Sequence, residues 1–214
     1  QSLLIKCEEL IKKNNLKEGI IYIHISRGIA KRNHNWSNNI FPSLIISCSH
    51  KKTYNINAKK IALISHKDIR WNNCHIKTVS LLPNVLLKQK AFKKNAFECL
   101  MLDDYGYITE ATTSNIWILK NNFLITTPLT SNILPGVTRK KLIELANILN
   151  IKVCEEKFKE SDVYRADNVF LTNSSAIILE ANKLNGKKLN VSNNQILKNI
   201  KSEILKVIDH EQAR

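Results

Sequence analysis

The chain has 214 residues, room for one large domain or two modest ones at roughly 100–200 residues per domain. Hydrophobic residues at 43% and charged residues at 24%, with 5 Gly and 4 Pro, match a folded globular protein and exclude disordered, collagen-like and low-complexity classes. The 33 Lys and Arg outnumber 18 Asp and Glu to give +15, but the lysines are dispersed and no basic block exceeds pairs such as Lys93-Lys94, so they read as a solvated face and no nucleic-acid partner is expected.

Leu3, Leu4, Cys7, Leu10 and Ile11 recur at helical spacing behind Ser2, which predicts a capped amphipathic helix ending near Asn14-Asn15. The same stretch carries too many charges for a signal peptide, and no apolar run approaches the roughly 18–20 residues of a membrane helix; a soluble, cytoplasmic protein with no membrane partner is expected. Strands are predicted at Gly19–Ser26 and Pro42–Cys48, joined by a polar loop from Gly28 to Asn39. The polar stretch Ser49–Asn57 marks a boundary between a first domain, residues 1–50, and a second, residues 51–214. In the second, strands are expected at Lys60–Ser65, Phe97–Leu102, Ile151–Cys154 and Asn168–Thr172, and helices at Leu81–Asn95 and Val137–Leu149. Ser114–Leu119 and Phe123–Thr127 read as a hairpin around Lys120-Asn121-Asn122, and the last helix, from about Asn193, shows Ile196, Ile200, Ile204 and Val207 as its core stripe. Hairpins mixed with helices, without strict βα alternation, predict an α+β fold with a mixed or barrel-like sheet.

The five cysteines (Cys7, Cys48, Cys74, Cys99 and Cys154) form no Cys-x-x-Cys pair, so neither zinc nor a disulfide framework is expected and the site is read without a metal. No Gly-x-Gly-x-x-Gly or Walker loop occurs. Three segments could carry chemistry. Ile133-Leu134-Pro135-Gly136-Val137-Thr138-Arg139 runs from a Pro-Gly turn into a helix whose first N–H groups could hold a phosphate, although a plain turn explains it alone. Thr172-Asn173-Ser174-Ser175 sets hydroxyls at a strand end, and Glu110-Ala111-Thr112-Thr113-Ser114-Asn115 sets a carboxylate beside three more; a plain turn and a solvated loop are their bland readings.

Asp68-Ile69-Arg70-Trp71 leads to Cys74-His75-Ile76-Lys77 and on to Ser80-Leu81-Leu82-Pro83-Asn84-Val85-Leu86-Leu87-Lys88-Gln89-Lys90-Ala91. Taken with Thr109-Glu110-x-x-x-Ser114-Asn115, Leu134-x-Gly136-Val137-Thr138-Arg139 and Phe170-Leu171-Thr172, these residues make the sequence resemble the class IV, or fold-type IV, pyridoxal-phosphate aminotransferases, closest to those acting on D-amino acids. The resemblance runs from about Gly19 to Lys188, with four motifs in the family's order. It implies a remnant of the family's small N-terminal α/β domain, a larger C-terminal cofactor domain, pyridoxal 5'-phosphate as cofactor and a homodimer.

By that resemblance Lys77 is the Schiff-base lysine. Glu110, 33 residues further on, faces the protonated ring nitrogen, and the Val137 and Thr138 amides with the Ser174 side chain grip the phosphate. Lys88, the nearest rival lysine, sits in a predicted helix and is expected to face solvent. Arg32-Asn33-His34 is similar to the Arg-x-His trap that binds a substrate carboxylate at the neighbouring subunit's site. The expected reaction is transamination of D-alanine with 2-oxoglutarate, giving pyruvate and D-glutamate. The alternatives are an aminodeoxychorismate lyase or branched-chain aminotransferase of the same fold, neither expected to carry the Arg-x-His pair. Two others come from different classes: a basic nucleic-acid-binding protein, whose affinity would fall steeply with salt, and an inactive fragment. The last alternative arises because chains of the family carry, ahead of the position of Gln1, a segment supplying a phosphate-binding arginine and a substrate-facing tyrosine.

Overall fold

Ser2 accepts a hydrogen bond from the Ile5 backbone N–H at 3.4 Å and caps α1 (Leu3–Lys13), the helix its apolar spacing predicts. β1 (Gly19–Ser26) and β2 (Ser43–His50) then pair antiparallel, from Gly19 against His50 to Ser26 against Ser43. The second strand therefore takes in Ser49 and His50, which the polar-boundary reading excludes, because pairing to β1 and not hydrophobicity sets its end. Gly28, at φ +122°, permits the return from β1: a Cβ there would lie 2.0 Å from the Phe41 carbonyl oxygen. None of the described residues of this part is buried. The computed structural model describes residues 2–36, 38–51 and 59–212, so residues 52–57 of the expected boundary stretch lie outside the described residues. The chain divides into two compact units, Gln1–Tyr54 and Asn55–Arg214.

The second unit comprises β3 (Ile61–Lys67), α2 (Leu82–Lys93), β4 (Glu98–Leu102), β5 (Ile108–Ala111), β6 (Asn115–Lys120), β7 (Phe123–Thr126), α3 (Val137–Ile148), β8 (Val153–Glu155), α4 (Glu160–Arg165), β9 (Asn168–Asn173), β10 (Ile177–Leu184), β11 (Lys187–Lys188) and α5 (Gln195–Gln212). Its sheet runs β5-β4-β3-β10-β9-β6-β7-β8, with β11 beside β10; β10 with β3, β3 with β4 and β7 with β8 are parallel, and the other pairs antiparallel. The two ends of this order are tied together. The Ile108 N–H donates to the Phe158 carbonyl at 2.9 Å, Tyr107 bridges Lys159, and the Thr127 hydroxyl donates to the Thr109 carbonyl at 2.8 Å. The mixed sheet thus curls towards a barrel, giving the α+β class that the element mixture predicts.

Four elements escape the sequence reading, the two-residue β11 among them. β5 is four residues, Ile-Thr-Glu-Ala, whose Glu110-Ala111 end reads as a solvated loop; all four are buried because β4 and the segment after β8 flank them. β10 carries Glu, Asn and Lys among its apolar residues, and pairing on both sides with β3 and β9 overrides its weak strand propensity. α4 is only six residues long. In α5 the buried stripe is Leu197, Ile200 and Ile204, with Ile196 only half-buried, so the predicted stripe is turned by one residue at its start.

Asparagine takes the left-handed backbone at several helix ends and turns. Asn15, Asn95 and Asn150 follow the ends of α1, α2 and α3 at φ 48°, 54° and 56°, where a left-handed residue terminates a helix. Asn121 and Asn122, at φ 51° and 66°, make the turn between β6 and β7 that the sequence predicts.

The core of the barrel holds Trp117 stacked on Phe170 at 6.0 Å, with the indole N–H donating to the Thr172 hydroxyl at 3.0 Å. Behind α2, Leu87 and Ala91 pack on Ile64, Cys99 and Met101. One charged group is sealed in this layer. Glu98 has no exposed surface, and its carboxylate accepts from the Cys99, Thr112 and Thr113 N–H groups at 2.9, 3.2 and 3.1 Å and from both threonine hydroxyls, with Lys88 Nζ at 3.3 Å. Four donors of the turn after β5 hang on it, so Glu98→Ala is expected to lower stability by roughly 3–5 kcal/mol, read as a fall in the urea midpoint. Lys88→Met, which removes a partly solvated counter-ion, is expected to cost about 1 kcal/mol or less.

Candidate active site

β5 carries Glu110 with a side chain only 6% exposed. Its Oε1 accepts from Arg70 Nη1, its Oε2 from the Asn115 amide at 3.1 Å, and the Leu134 N–H lies 3.3–3.4 Å from both oxygens. Arg70 is equally buried, and its other edge grips Asp68 through Nε at 3.0 Å and Nη2 at 2.7 Å, while Nη2 also reaches the Asn132 carbonyl at 2.9 Å. Burial pushes the Glu110 carboxyl up to about 7 against the pull of the Arg70 guanidinium. Burial opposes the charge on Asp68 too, but its bonds to Arg70 hold that carboxyl below its ordinary value. The geometry thus gives a carboxylate at the cavity wall that gains or loses a proton near neutrality, beside a guanidinium that stays charged.

The segment between β3 and α2 carries Lys77 and is pinned at several points. Arg70 anchors its start; the Cys74 thiol donates to the Trp71 carbonyl at 2.9 Å, the His75 N–H to the Ser131 carbonyl at 3.1 Å, and the Asn84 amide to the Thr112 carbonyl at 2.7 Å. Lys77 makes no hydrogen bond or ion pair among the described residues, and its side chain lines a cavity of about 600 Å³. α2 and β4 return the chain from Lys77 to Glu110, which lines the same cavity. Lys88 departs from the expectation of a solvent-facing side chain. It is half-buried, paired with Glu98 and hydrogen-bonded to the Phe97 carbonyl at 2.5 Å, because the sealed Glu98 charge draws it inward.

Opposite, α3 opens at Gly136 without a side-chain cap, so first-turn N–H groups of the helix lack that partner. Gly136 is required by space: a Cβ would stand 2.2 Å from Asn115 Oδ1, and Asn115 in turn holds Glu110 and, at 3.0 Å, the Leu134 carbonyl. Arg139 fixes the helix from within, Nη2 donating to the Thr127 carbonyl at 3.0 Å and to Glu155 at 2.5 Å. Val137, Thr138 and Ser174 all line the cavity, and the turn bearing Ser174 is set by Asn173, whose Oδ1 accepts from the Ser175 and Ala176 N–H groups at 3.0 and 2.7 Å. An unpaired amine, a buried carboxylate and an uncapped helix start bearing Thr138 form a donor set that fits a cofactor with an aldehyde, a cationic ring nitrogen and a phosphate. Among the described residues no group of three or more His, Cys, Asp and Glu could hold a metal.

Arg32 and His34 belong to the first unit and are exposed on the loop between β1 and β2. That loop is ordered by Arg27 stacked 3.9 Å over Trp36 and by the Asn33 side chain accepting from the Asn35 N–H at 3.3 Å. Asp68, Arg70 and Asn115 are the residues whose part in the site no separate sequence argument assigns. All three belong to segments that carry the family resemblance, but only proximity across 40 residues joins Arg70 to Glu110.

Comparison with known proteins agrees with this geometry. The family "Amino-transferase class IV" matches residues 2–184. A D-alanine aminotransferase of Bacillus licheniformis is 30% identical over 209 residues, 97% of this chain and 74% of the relative. Among solved structures, one described as a 4-amino-4-deoxychorismate lyase from Legionella pneumophila superposes with a TM-score of 0.85 at 26% identity, covering 92% of this chain and 73% of the other. The Escherichia coli branched-chain amino acid aminotransferase superposes with a TM-score of 0.82 at 26% identity, covering 96% and 72%. A match spanning nearly the whole fold, reached independently of the cavity chemistry, leaves one family that accounts for both, and the chain belongs to the class IV aminotransferases, which depend on pyridoxal phosphate.

Proposed function

We propose that this chain transfers an amino group between a D-amino acid, D-alanine foremost, and a 2-oxo acid such as 2-oxoglutarate, yielding pyruvate and D-glutamate. The observation that carries the reading is one cavity lined by the free Lys77 amine, the buried Glu110 carboxylate and the start of α3, in a chain that also bears Arg32-x-His34. The 30% identity to a D-alanine aminotransferase supports the substrate class. No helix of the described residues is long and apolar enough to cross a membrane, and we place the work of a homodimer in the cytoplasm.

Pyridoxal phosphate, when bound, supplies an electron sink for the substrate Cα. Each of the chain's residues then has a physical task. Glu110 would hold the proton on the ring nitrogen, with Arg70 drawing its carboxyl towards the charged state in partial answer to burial. The Val137 and Thr138 N–H groups and the Ser174 hydroxyl bind the phosphate, where the α3 dipole favours negative charge. Lys77 would hold the cofactor through its aldehyde, and its amine, when free, would act as base and then acid for the proton at the substrate Cα. Arg32 and His34 hold the substrate carboxylate through charge-assisted hydrogen bonds, reaching the site of the neighbouring subunit. The closest competitor is lyase chemistry on the same scaffold, favoured by the superposition on the Legionella pneumophila structure.

Incubation with pyridoxal phosphate, borohydride reduction and peptide mapping are expected to label Lys77 alone, with the label lost in Lys77→Ala; labelling scattered over surface lysines would sink the cofactor assignment. Pyruvate formation from D-alanine is expected to require an added 2-oxo acid, and release without an acceptor would favour the lyase. Arg32→Ala is expected to raise KM for D-alanine roughly ten- to a hundredfold, the worth of one charged hydrogen bond, with a smaller change in kcat.

A further inference from the structure

Arg70 stands between two carboxylates and treats them differently. Its forked edge, Nε and Nη2, grips Asp68 at 3.0 and 2.7 Å, and Nη2 is further occupied by the Asn132 carbonyl at 2.9 Å, so that Nη1 is left to meet Glu110, end-on and at one oxygen. Asp68 is fixed in turn by the Arg70 N–H at 3.1 Å and by the Thr109 hydroxyl at 2.8 Å, and its side chain is 13% exposed. It does not line the cavity, whereas Arg70 and Glu110 do. Two carboxylates sharing one guanidinium leave the cluster one negative charge in excess. Without Asp68 the pair Arg70–Glu110 would be neutral. The other charged or titratable side chains on the cavity wall are Lys77, His75, Lys88 and Cys74; Lys88 is already engaged by Glu98, and the Cys74 thiol, pushed up by burial, donates to the Trp71 carbonyl.

We propose that Asp68 is a positioning residue for the reaction: by occupying the fork of Arg70 it keeps that guanidinium end-on to Glu110 and supplies the excess negative charge that makes the cavity select a cationic ring nitrogen. The role rests on the cofactor reading given above, and it assigns a specificity function to a side chain that touches neither cofactor nor substrate. Substituting Asp68 by asparagine keeps the size and one acceptor oxygen while removing the charge. The guanidinium charge then falls to Glu110 alone, and the cluster distinguishes a pyridinium from an uncharged ring less strongly.

The test compares binding of pyridoxal phosphate with binding of its 1-deaza analogue, in which a C–H replaces the ring nitrogen. It is made at pH 8, above the Glu110 midpoint of about 7, in the full chain and in Asp68→Asn. The native chain is expected to prefer the nitrogen-bearing ring, and the preference to shrink on the order of tenfold in Asp68→Asn and to return in part in Asp68→Glu. A general loss of packing would weaken both ligands alike, so an unchanged preference overturns the proposal even if affinity falls. A second measurement needs no cofactor: carboxyl ¹³C titration of Glu110, assigned by its absence in Glu110→Gln, is expected to move to lower pH in Asp68→Asn, since an anion is removed and Arg70 is no longer shared. An unmoved midpoint overturns the proposal whether or not the chain binds cofactor. A midpoint that falls in a chain that binds neither ring supports the Asp68 coupling and overturns the cofactor reading instead.

Discussion

A carboxylate set into an apolar wall keeps its charge only if something answers it, and the answer to Glu110 is Arg70. Much of the cavity's architecture follows from satisfying that pair. Asp68 takes the rest of the guanidinium; Asn115 and the Leu134 N–H take the remaining lone pairs of Glu110; and Asn115 is so close to the start of α3 that residue 136 must be glycine. The helix that would receive a phosphate and the carboxylate that would face a ring nitrogen are therefore connected through one amide side chain. Moving either one would strip partners from the other.

The curled sheet makes this constellation possible. β5 is too short and too polar to hold its place by its own propensity, and it is β4 on one side and the segment following β8 on the other that bury it. Glu98 performs the matching task at the end of β5, where its sealed carboxylate gathers the N–H and hydroxyl groups of Thr112 and Thr113. Lys88 is drawn from the helix surface to balance it. Two buried acids thus serve one wall: Glu98 fixes the turn, and Glu110 faces the cavity.

The basic composition has a plain physical counterpart. Some lysines pair with acids, as Lys67 does with Asp104 at 2.8 Å, and some lie over aromatic faces, as Lys159 does over Tyr107 at 4.7 Å. Asparagine has a structural use as well, because it tolerates the left-handed backbone that ends α1, α2 and α3 in a chain with 5 glycines.

Local pattern located α1, α3, the β6–β7 hairpin and most of the longer strands, because the apolar repeat and turn residues that specify each are local in the chain, whether the face is buried, as in α3, or left half-exposed, as in α1. The motif around Lys77, Glu110 and Gly136-Val137-Thr138 was legible for a related reason: reacting groups need fixed residue types, and those types survive as a readable pattern. What periodicity could not give was β5 and β10, whose strand state comes from neighbours remote in sequence, or the inward turn of Lys88, which answers a charge ten residues away. Nor could it join Asp68 to Glu110 through Arg70. The sequence determined which chemical groups the protein has and the local elements that carry them. Only the tertiary structure decided which of those groups are sealed from water and which share a single counter-charge, because burial and electrostatic pairing depend on distance in space and not on separation along the chain.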